Sequence, residues 1–237
     1  RSRSFRRSSG PLLGGRAMTS HRNLCRAFRA VESVYAAHRQ PAPWAGKRIR
    51  SAHGEVAVIR FPASQRVYIA FKGTGGEGFW GNLLDDLKAW PAKPDWGRPG
   101  RVHAGFQHHL RELMAAGLAW EINNLQEPNA PAPQVILTGF SLGGALAALA
   151  AEELRAFWGI EPQVITFAAP PVGTAAFAAR QGPLTRVVLQ GDGIPLLAPW
   201  FRHPKSAELV LLKSGGLDFA LEHNRDRYRQ ALIRVKR

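Results

Sequence analysis

The sequence has little cysteine and no long apolar run, and each of these features excludes a class of protein. Its 237 residues include one cysteine, Cys25, so no intramolecular disulfide can form. Secreted proteins of this size often carry disulfides, so we expect a cytoplasmic protein in which Cys25 is a packed or surface thiol. No apolar run approaches the roughly 18 residues of a membrane-spanning helix. The richest run, residues 145–151, is mostly alanine.

Binding motifs for small cofactors are also missing. The sequence holds no cluster of metal ligands at a known spacing, no phosphate-binding loop and no dinucleotide fingerprint. We therefore predict no cofactor and no metal ion.

Acidic residues are few, and the basic excess lies at the two ends of the chain. The sequence has 32 Lys and Arg against 17 Asp and Glu, a net charge of +15. Residues 1–30 hold eight arginines and no acid, residues 225–237 hold six basic residues and one acid, and residues 31–224 are nearly neutral at +2. Basic termini attract anionic lipid headgroups or nucleic acid. Because residues 31–224 lack an excess of basic residues, we expect no specific nucleic-acid partner.

The first 17 residues are rich in arginine, serine and glycine, and they contain no apolar segment of the secretory type. Three interpretations are open: sequence translated upstream of a start at Met18, a transit peptide, or a disordered basic tail. The first is favoured. The predicted organisation is a basic extension over residues 1–17 and one domain over residues 18–237.

One stretch stands out, residues 134–157. A run rich in β-formers leads into Gly139-Phe-Ser141-Leu-Gly143, and an Ala/Leu pattern with helical spacing follows at once. Strand, sharp turn and helix form the context in which Gly-x-Ser-x-Gly carries a nucleophilic serine. The helix begins at Ser141, so its free N–H groups face a developing oxyanion. The alternative is that these glycines only let a helix pack closely on a sheet.

Strands alternate with helices in the rest of the chain, which predicts an α/β fold whose mainly parallel sheet is covered on both faces. A glycine-rich connection over residues 75–100 contains three tryptophans and is either a flap over apolar surface or an ordinary surface loop. The predicted strands are 55–61, 66–72, 134–138, 163–167, 185–190 and 207–212, and the main predicted helices are 20–38, 103–125, 142–157 and a basic helix over about 218–234.

A serine nucleophile needs a histidine to take its proton and an acid to orient that histidine. The serine turn resembles that of the α/β-hydrolases, in which the acid and then the histidine follow the serine in the chain, and this order leaves His203 and His223. His223 is preferred because it follows the last predicted strand and a Gly-Gly loop. Asp192 is the preferred acid, since it directly follows strand 185–190 at the edge where Ser141 stands. The alternative is that Gly-Asp-Gly is only a turn.

The oxyanion of an acyl-transfer reaction needs two hydrogen-bond donors. One candidate is the backbone N–H of Leu142, which follows the serine. The other is Thr74, at the end of an earlier strand, where the alternative is a plain Gly-Thr-Gly turn.

Taken together, these stretches resemble the class 3 lipase family, the fungal-type triacylglycerol lipases with an α/β-hydrolase fold. The resemblance implies a single α/β-hydrolase domain that cleaves lipid esters, with Ser141, Asp192 and His223 as the triad. It also implies Thr74 and Leu142 as oxyanion donors and a lid within residues 75–100. The matching segments are Ile69-Ala-Phe-Lys-Gly-Thr74, Val102-His-Ala-Gly-Phe106, Thr138-Gly-Phe-Ser-Leu-Gly-Gly-Ala145, Thr166-Phe-Ala-Ala-Pro170 and Asp192-Gly-Ile-Pro195.

Smaller points of the resemblance concern single residues. Asp86 falls near a family aspartate that helps to hold the oxyanion residue, and His103 matches a family position outside the triad, which implies a structural role. Lys72 stands where arginine is commoner. The family usually has an aspartate before the catalytic histidine and an aromatic residue three positions after it, whereas Glu222 precedes His223 and Tyr228 follows five residues later.

The prediction is therefore a serine ester hydrolase, a lipase, that takes lipid or ester substrates and makes peripheral contact with lipid surfaces. A phospholipase-type hydrolase acting on anionic surfaces is one alternative. A non-catalytic lipid-binding or nucleic-acid-binding protein on the same scaffold is the other, because a fold alone does not fix a function.

Overall fold

The strand that leads into the serine turn lies at the centre of the molecule. A computed structural model describes residues 19–36, 44–73, 90–126, 131–197, 200–214 and 222–235. Short 3₁₀ turns cover Pro62–Ser64 and Ile194–Leu196. In chain order the helices and strands are α1 (His21–Tyr35), β1 (Lys47–Arg50), β2 (Glu55–Phe61), β3 (Arg66–Phe71), β4 (Pro91–Ala92), β5 (Val102–His103), α2 (Ala104–Leu113), α3 (Ala119–Asn123), β6 (Gln134–Phe140), α4 (Leu142–Glu153), β7 (Gln163–Phe167), α5 (Ala175–Ala178), β8 (Thr185–Leu189), β9 (Glu208–Leu212) and α6 (Arg225–Arg234).

Within the described residues, seven strands form the main sheet in the order β1-β2-β3-β6-β7-β8-β9. The pairs β1/β2 and β2/β3 are antiparallel, and every later pair is parallel. The prediction of a mainly parallel sheet is confirmed. The carboxyl ends of β3, β6, β7 and β8 therefore meet at one edge of the sheet, which is where open α/β sheets bind ligands.

Alternate residues of β6 face two separate cores. Val135 and Leu137 belong to the core that includes side chains from α2 and α4. Ile136 and Phe140 belong to the core that includes side chains from α1 and α6. Successive side chains of a strand point to opposite faces, so a strand covered by helices on both faces is apolar along its whole length.

Two predicted helices are broken in the structure. The helix predicted over residues 103–125 passes through a π-helical turn, Met114–Leu118, where Gly117 has a φ of 127° that interrupts regular helical geometry. The prediction of one basic helix over about 218–234 is wrong, because α6 begins at Arg225, with Asn224 as its N-cap. His223 consequently lies before the helix instead of within it. Residues 215–221 are outside the described residues.

The small strands β4 and β5 fix the connections near the carboxyl edge of the main sheet. Pro91 pairs with His103. Val102 bridges to Gly173, and Gly173 bridges to Arg202, so the segments that follow β7 and β8 are tied to this small sheet. Residues 90–100 are the described part of the predicted lid, and Trp96 within them is buried in the core. The rest of the predicted lid, up to residue 89, falls outside the described residues, as do residues 1–17.

Among the described residues, no helix combines the length and the apolar character needed to cross a membrane.

Candidate active site

Ser141 lies in a strained turn between β6 and α4. Its φ is 57° and its ψ is −126°, a conformation that costs a non-glycine residue about 1–3 kcal/mol. Its N–H donates to the carbonyl of Phe167 on β7, at 2.9 Å, and its own carbonyl accepts the N–H of Gly144, also at 2.9 Å. Strain of this kind persists only where the surrounding structure imposes it, so the turn fixes the direction of the serine side chain.

The glycines of the motif allow the helix to approach the sheet closely. A Cβ atom placed on Gly143 would lie 2.2 Å from the carbonyl oxygen of Phe71, at the end of β3. A Cβ atom on Gly139 would lie 2.2 Å from the backbone of Gly143. Any side chain at these positions would push α4 away from β3 and β6, so these glycines are needed for packing as well as for the turn.

The structure brings the side chains of Ser141, His223 and Asp192 together in one hydrogen-bonded chain. The Nε2 atom of His223 lies 3.0 Å from the Oγ atom of Ser141. Its Nδ1 atom lies 3.1 and 3.0 Å from the two carboxylate oxygens of Asp192. A carboxylate at Nδ1 places the proton there and leaves Nε2 free to accept the serine proton. The arrangement has the geometry that activates a serine as a nucleophile.

Asp192 is held by two more donors besides the imidazole. The N–H of Ile194 donates to Oδ1 at 3.0 Å, and the hydroxyl of Tyr228 donates to Oδ2 at 2.7 Å. The same hydroxyl accepts the N–H of Leu189, at 2.9 Å, from the end of β8. Burial, together with the nearby charge of Asp192, raises the pKa of Tyr228 well above its usual value, so the hydroxyl stays protonated and remains a donor. Asp192 is therefore oriented from three sides.

The role of Tyr228 was not predicted from the sequence, because the family pattern has its aromatic residue three positions after the histidine and Tyr228 lies five positions after His223. The tyrosine lies on the buried side of α6, where helical spacing predicts an inward-facing residue. Phe140 packs against the ring of His223, with ring centroids 5.0 Å apart, and edge-on against Tyr228 at 5.3 Å. These ring contacts limit the rotation of the imidazole.

Of the two predicted oxyanion donors, only Leu142 lies within the described residues. Leu142 is the first residue of α4, and the first N–H groups of a helix have no acceptor within it. Thr74 falls outside the described residues. Gly73, which precedes Thr74, lies against the serine turn, since a Cβ atom placed on it would be 3.3 Å from the nitrogen of Gly143. The end of β3 therefore reaches the start of α4.

Tyr35 holds the end of β3 in this position. Its hydroxyl accepts the N–H of Gly73 at 2.8 Å, and burial raises its pKa above the usual value. The guanidinium of Arg225 lies 3.7 Å from the centre of the tyrosine ring, which is a close cation–π contact. Lys72, where the family more often has arginine, binds the carboxylate of Glu55 at 3.1 Å.

The other histidines considered from the sequence have different surroundings. His203 hydrogen-bonds to the carbonyl of Pro195 at 2.8 Å, and burial, together with the charge of Arg186, lowers its pKa to about 4. His103 caps α2, because its Nδ1 accepts the N–H of Phe106. Asp86 is outside the described residues. Cys25 is partly buried, with its sulfur 3.4 Å from His21.

Comparison with known proteins agrees with this architecture. The family model described as Lipase (class 3) matches residues 68–201. A putative lipase of Saccharomyces cerevisiae, LIH1, is 29% identical over 138 residues, which cover 48% of this chain and 40% of that protein. The match thus spans less than half of the curated relative.

Solved structures of fungal lipases share the fold. The propeptide complex of a Rhizomucor miehei lipase deletion mutant superimposes with a TM-score of 0.68 and 26% identity, over 84% of this chain and 69% of that one. A triacylglycerol lipase whose catalytic centre is formed by a serine protease triad superimposes with a TM-score of 0.63 and 25% identity, over 85% and 83% of the two chains. The likeness confirms the α/β-hydrolase fold.

Proposed function

Because the chain belongs to the class 3 lipase family, we propose that it is a serine ester hydrolase that cleaves acyl esters of glycerolipids through an acyl-enzyme. Ser141 is the nucleophile, His223 the general base, and Asp192 the residue that orients the base. The observation that carries the proposal is the hydrogen-bonded chain from Ser141 Oγ through His223 to Asp192, with contacts of 3.0 to 3.1 Å. A serine hydroxyl gains nucleophilic strength only when such a base is within hydrogen-bonding distance.

In the first half of the reaction, Ser141 Oγ attacks the ester carbonyl carbon while its proton moves to Nε2 of His223. A tetrahedral oxyanion forms. The protonated imidazole then gives that proton to the alcohol oxygen, the carbon–oxygen bond of the ester breaks, and the alcohol leaves. Asp192 stabilises the positive imidazolium during this step, and the donors from Ile194 and Tyr228 hold its carboxylate in place.

In the second half, water takes the place of the alcohol. His223 accepts a proton from the water molecule, the hydroxide oxygen attacks the acyl carbon, and a second tetrahedral oxyanion forms. The imidazolium returns the proton to Ser141 Oγ as the acyl–serine bond breaks, which releases the fatty acid and restores the enzyme. No group other than the substrate and water is consumed.

Two backbone or hydroxyl donors stabilise the oxyanion in both halves. We assign one to the N–H of Leu142, at the positive end of α4. We assign the other to Thr74, which follows the Gly73 that lies against the serine turn. Removing a single donor of this kind typically costs about 10²–10³ in kcat.

Large apolar side chains near the site support contact with a lipid surface. Leu196 lies four residues after Asp192 and is 83% exposed, and Trp200 is 69% exposed. Trp90 is 85% exposed and precedes the strand that pairs with β5. The bridges between β5, Gly173 and Arg202 place these segments beyond the carboxyl ends of β7 and β8. Exposed apolar groups concentrated beside a site are typical of a binding surface.

Labelling with a fluorophosphonate probe tests the proposal, because the probe reacts only with an activated serine. We expect labelling of the wild-type protein and its loss in Ser141→Ala, with hydrolysis of p-nitrophenyl esters lost in parallel. Ser64→Ala is the matched control, since Ser64 is exposed in the turn between β2 and β3. An unlabelled wild-type protein, or an active Ser141→Ala variant with a native circular dichroism spectrum, would contradict the proposal and favour a non-catalytic lipid-binding role.

A phospholipid substrate is the second candidate, because the net charge of +15 favours an anionic lipid surface. The two candidates are separated by comparing hydrolysis of a triacylglycerol emulsion with hydrolysis of phosphatidylglycerol vesicles at low and high salt. Faster cleavage of the triacylglycerol supports the lipase. Preference for the vesicles, with a rate that falls as salt rises, supports the phospholipase.

A further inference from the structure

A second group of side chains, away from the triad, has the atoms needed to bind a metal ion. His53, in the turn between β1 and β2, and His108 and Glu112, both on α2, present one possible ligand atom each, and these atoms all lie within 4.8 Å of one another. Nδ1 of His53 lies 3.1 Å from Oε1 of Glu112, and Nε2 of His108 lies 3.5 Å from the same oxygen. From this arrangement we propose that the three residues form a surface site for a Zn²⁺ ion.

The distances fit the coordination geometry of zinc. A tetrahedral ion with ligand bonds of about 2.0–2.1 Å needs neighbouring ligand atoms about 3.3–3.4 Å apart. The contacts of 3.1 and 3.5 Å to Oε1 of Glu112 are close to this spacing along two of the three edges. The remaining edge, between His53 and His108, is at most 4.8 Å long. A small rotation of the exposed His108 side chain closes it.

Local backbone structure presents the ligands together. His108 and Glu112 are four residues apart on α2, so they project from one face of the helix. The turn that carries His53 is closed by a hydrogen bond from Ser51 N–H to the carbonyl of Gly54, at 2.9 Å. Gly54 lets this turn lie on the helix, because a Cβ atom there would come within 3.3 Å of the Leu113 side chain.

The chemistry of the ligand set also suits zinc. Two imidazoles and one carboxylate form a common zinc-binding combination, and a solvent molecule completes the tetrahedron. The His53 and His108 side chains are 57% and 60% exposed, so an ion can reach them from solvent. The ring of His109 stacks on that of His53, with centroids 5.6 Å apart and an interplanar angle of 8°, which orients the His53 ring. A bound ion would link the β1–β2 turn to α2 and stabilise the folded state.

Titration of the untagged wild-type protein with ZnCl₂ in a calorimeter tests this site. We expect saturation at one equivalent, a raised melting temperature, and a visible absorption spectrum of the tetrahedral type when Co²⁺ replaces Zn²⁺. Mg²⁺ is expected not to compete. His108→Ala and Glu112→Gln should each weaken zinc binding by at least about tenfold, because even changes outside the direct ligands cost 10–100-fold in affinity.

His109→Phe is the matched control, since it keeps an aromatic ring against His53 but removes the neighbouring imidazole. It should bind zinc like the wild type. All three variants should keep the circular dichroism spectrum and the esterase activity of the parent protein. The proposal is overturned if the wild type shows no saturable binding, if neither His108→Ala nor Glu112→Gln weakens it, or if His109→Phe abolishes it.

Discussion

Two histidine–carboxylate pairs in this molecule have nearly the same length and very different surroundings. In the pair His223–Asp192 the closest contact is 3.0 Å and both side chains are fully buried. In the pair His53–Glu112 the closest contact is also 3.0 Å, but the side chains are 57% and 23% exposed. Contact distance alone therefore does not distinguish the buried pair from the surface pair. Burial and the other hydrogen-bond partners do.

Each pair depends on its neighbours in a different way. Burying a charge is costly unless its remaining lone pairs are satisfied, and Asp192 receives donors from Ile194 and Tyr228 besides the imidazole. An exposed pair gains little, because solvent screens the charges. The hydrogen bond from His53, with the charges of the nearby histidines, lowers the pKa of Glu112, which keeps that carboxylate ionised and open to other partners.

Removing the histidine of each pair should give the largest difference between them. We expect His223→Ala to lower kcat by about 10⁴-fold or more, because loss of a triad base in a serine hydrolase removes most of the chemical rate. We expect His53→Ala to change kcat by less than about twofold, since surface substitutions rarely affect distant chemistry. Steady-state hydrolysis of p-nitrophenyl esters measures both. Comparable losses in the two variants would show that burial does not separate the pairs.

Removing one donor from Asp192 tests how strongly the buried pair depends on its hydrogen-bond partners. Tyr228→Phe leaves a buried carboxylate oxygen and the N–H of Leu189 each without a partner they have in the wild type. The carboxylate oxygen keeps its contact with His223, but a buried N–H without an acceptor costs about 1–3 kcal/mol, so we expect a clear loss of stability. We also expect kcat to fall about tenfold, with KM nearly unchanged, because the hydroxyl positions the acid and touches no substrate.

Tyr68→Phe is the control for this variant, since Tyr68 lies in the same core as Tyr228 but is remote from Asp192 in its contacts. It should keep the parental kcat. If both substitutions lower kcat equally, the effect of Tyr228→Phe reflects general loosening of the core and not the orientation of Asp192.

Tyr35 tests whether a tyrosine hydroxyl also positions the end of β3, beside the predicted oxyanion donors. Tyr35→Phe removes the acceptor of the Gly73 N–H while keeping the ring that Arg225 covers. We expect a fall of about threefold to tenfold in kcat, smaller than that of Tyr228→Phe, because a backbone N–H at the site edge is easily satisfied by water. Unchanged kcat would mean that the end of β3 is held by the packing of Gly73 against Gly143 alone.

The sequence predicts the strands well because apolar runs bounded by turn residues leave little choice. The bounds of β2 and β7 match the prediction. The helices are less well predicted, since Gly117 and Asn224 change the backbone locally without altering the apolar period. Strand β1 was not predicted, because Lys47–Arg50 contains a single buried apolar residue, Ile49.

Chain order and the positions of the strand ends were enough to predict that Ser141, Asp192 and His223 lie close together. The position of the Tyr228 hydroxyl, in contrast, depends on how α6 packs over β8. No rule of local spacing encodes such a long-range contact. Three points remain predictions. They are the catalytic roles of these residues, the single hydrolase domain over residues 18–237 with a basic extension over residues 1–17, and the cytoplasmic location.

The carboxyl group of Glu153 shows how burial beside a like charge changes a pKa. Burial and the charge of Asp95 raise the pKa of Glu153, at the end of α4, to about 7, although Arg111 opposes the shift. The folded-state pKa lies above the unfolded value of 4.5, so the unfolded chain releases this proton first. The stability contribution is therefore complete below about pH 4.5 and is lost as pH rises to 7.

Glu153→Gln, which keeps the shape and removes the charge, should gain stability relative to the wild type as pH rises. The expected gain is about 1 kcal/mol at pH 8, after allowing for the partial exposure of the side chain, and it should shrink towards pH 5. Thermal unfolding at both pH values measures it. Its neighbour provides the opposite case: Glu152 is buried against Arg98 and Arg155, so Glu152→Gln should destabilise the protein at both pH values. A gain for Glu153→Gln that is equal at pH 5 and pH 8 would show that side-chain packing, and not charge, is responsible.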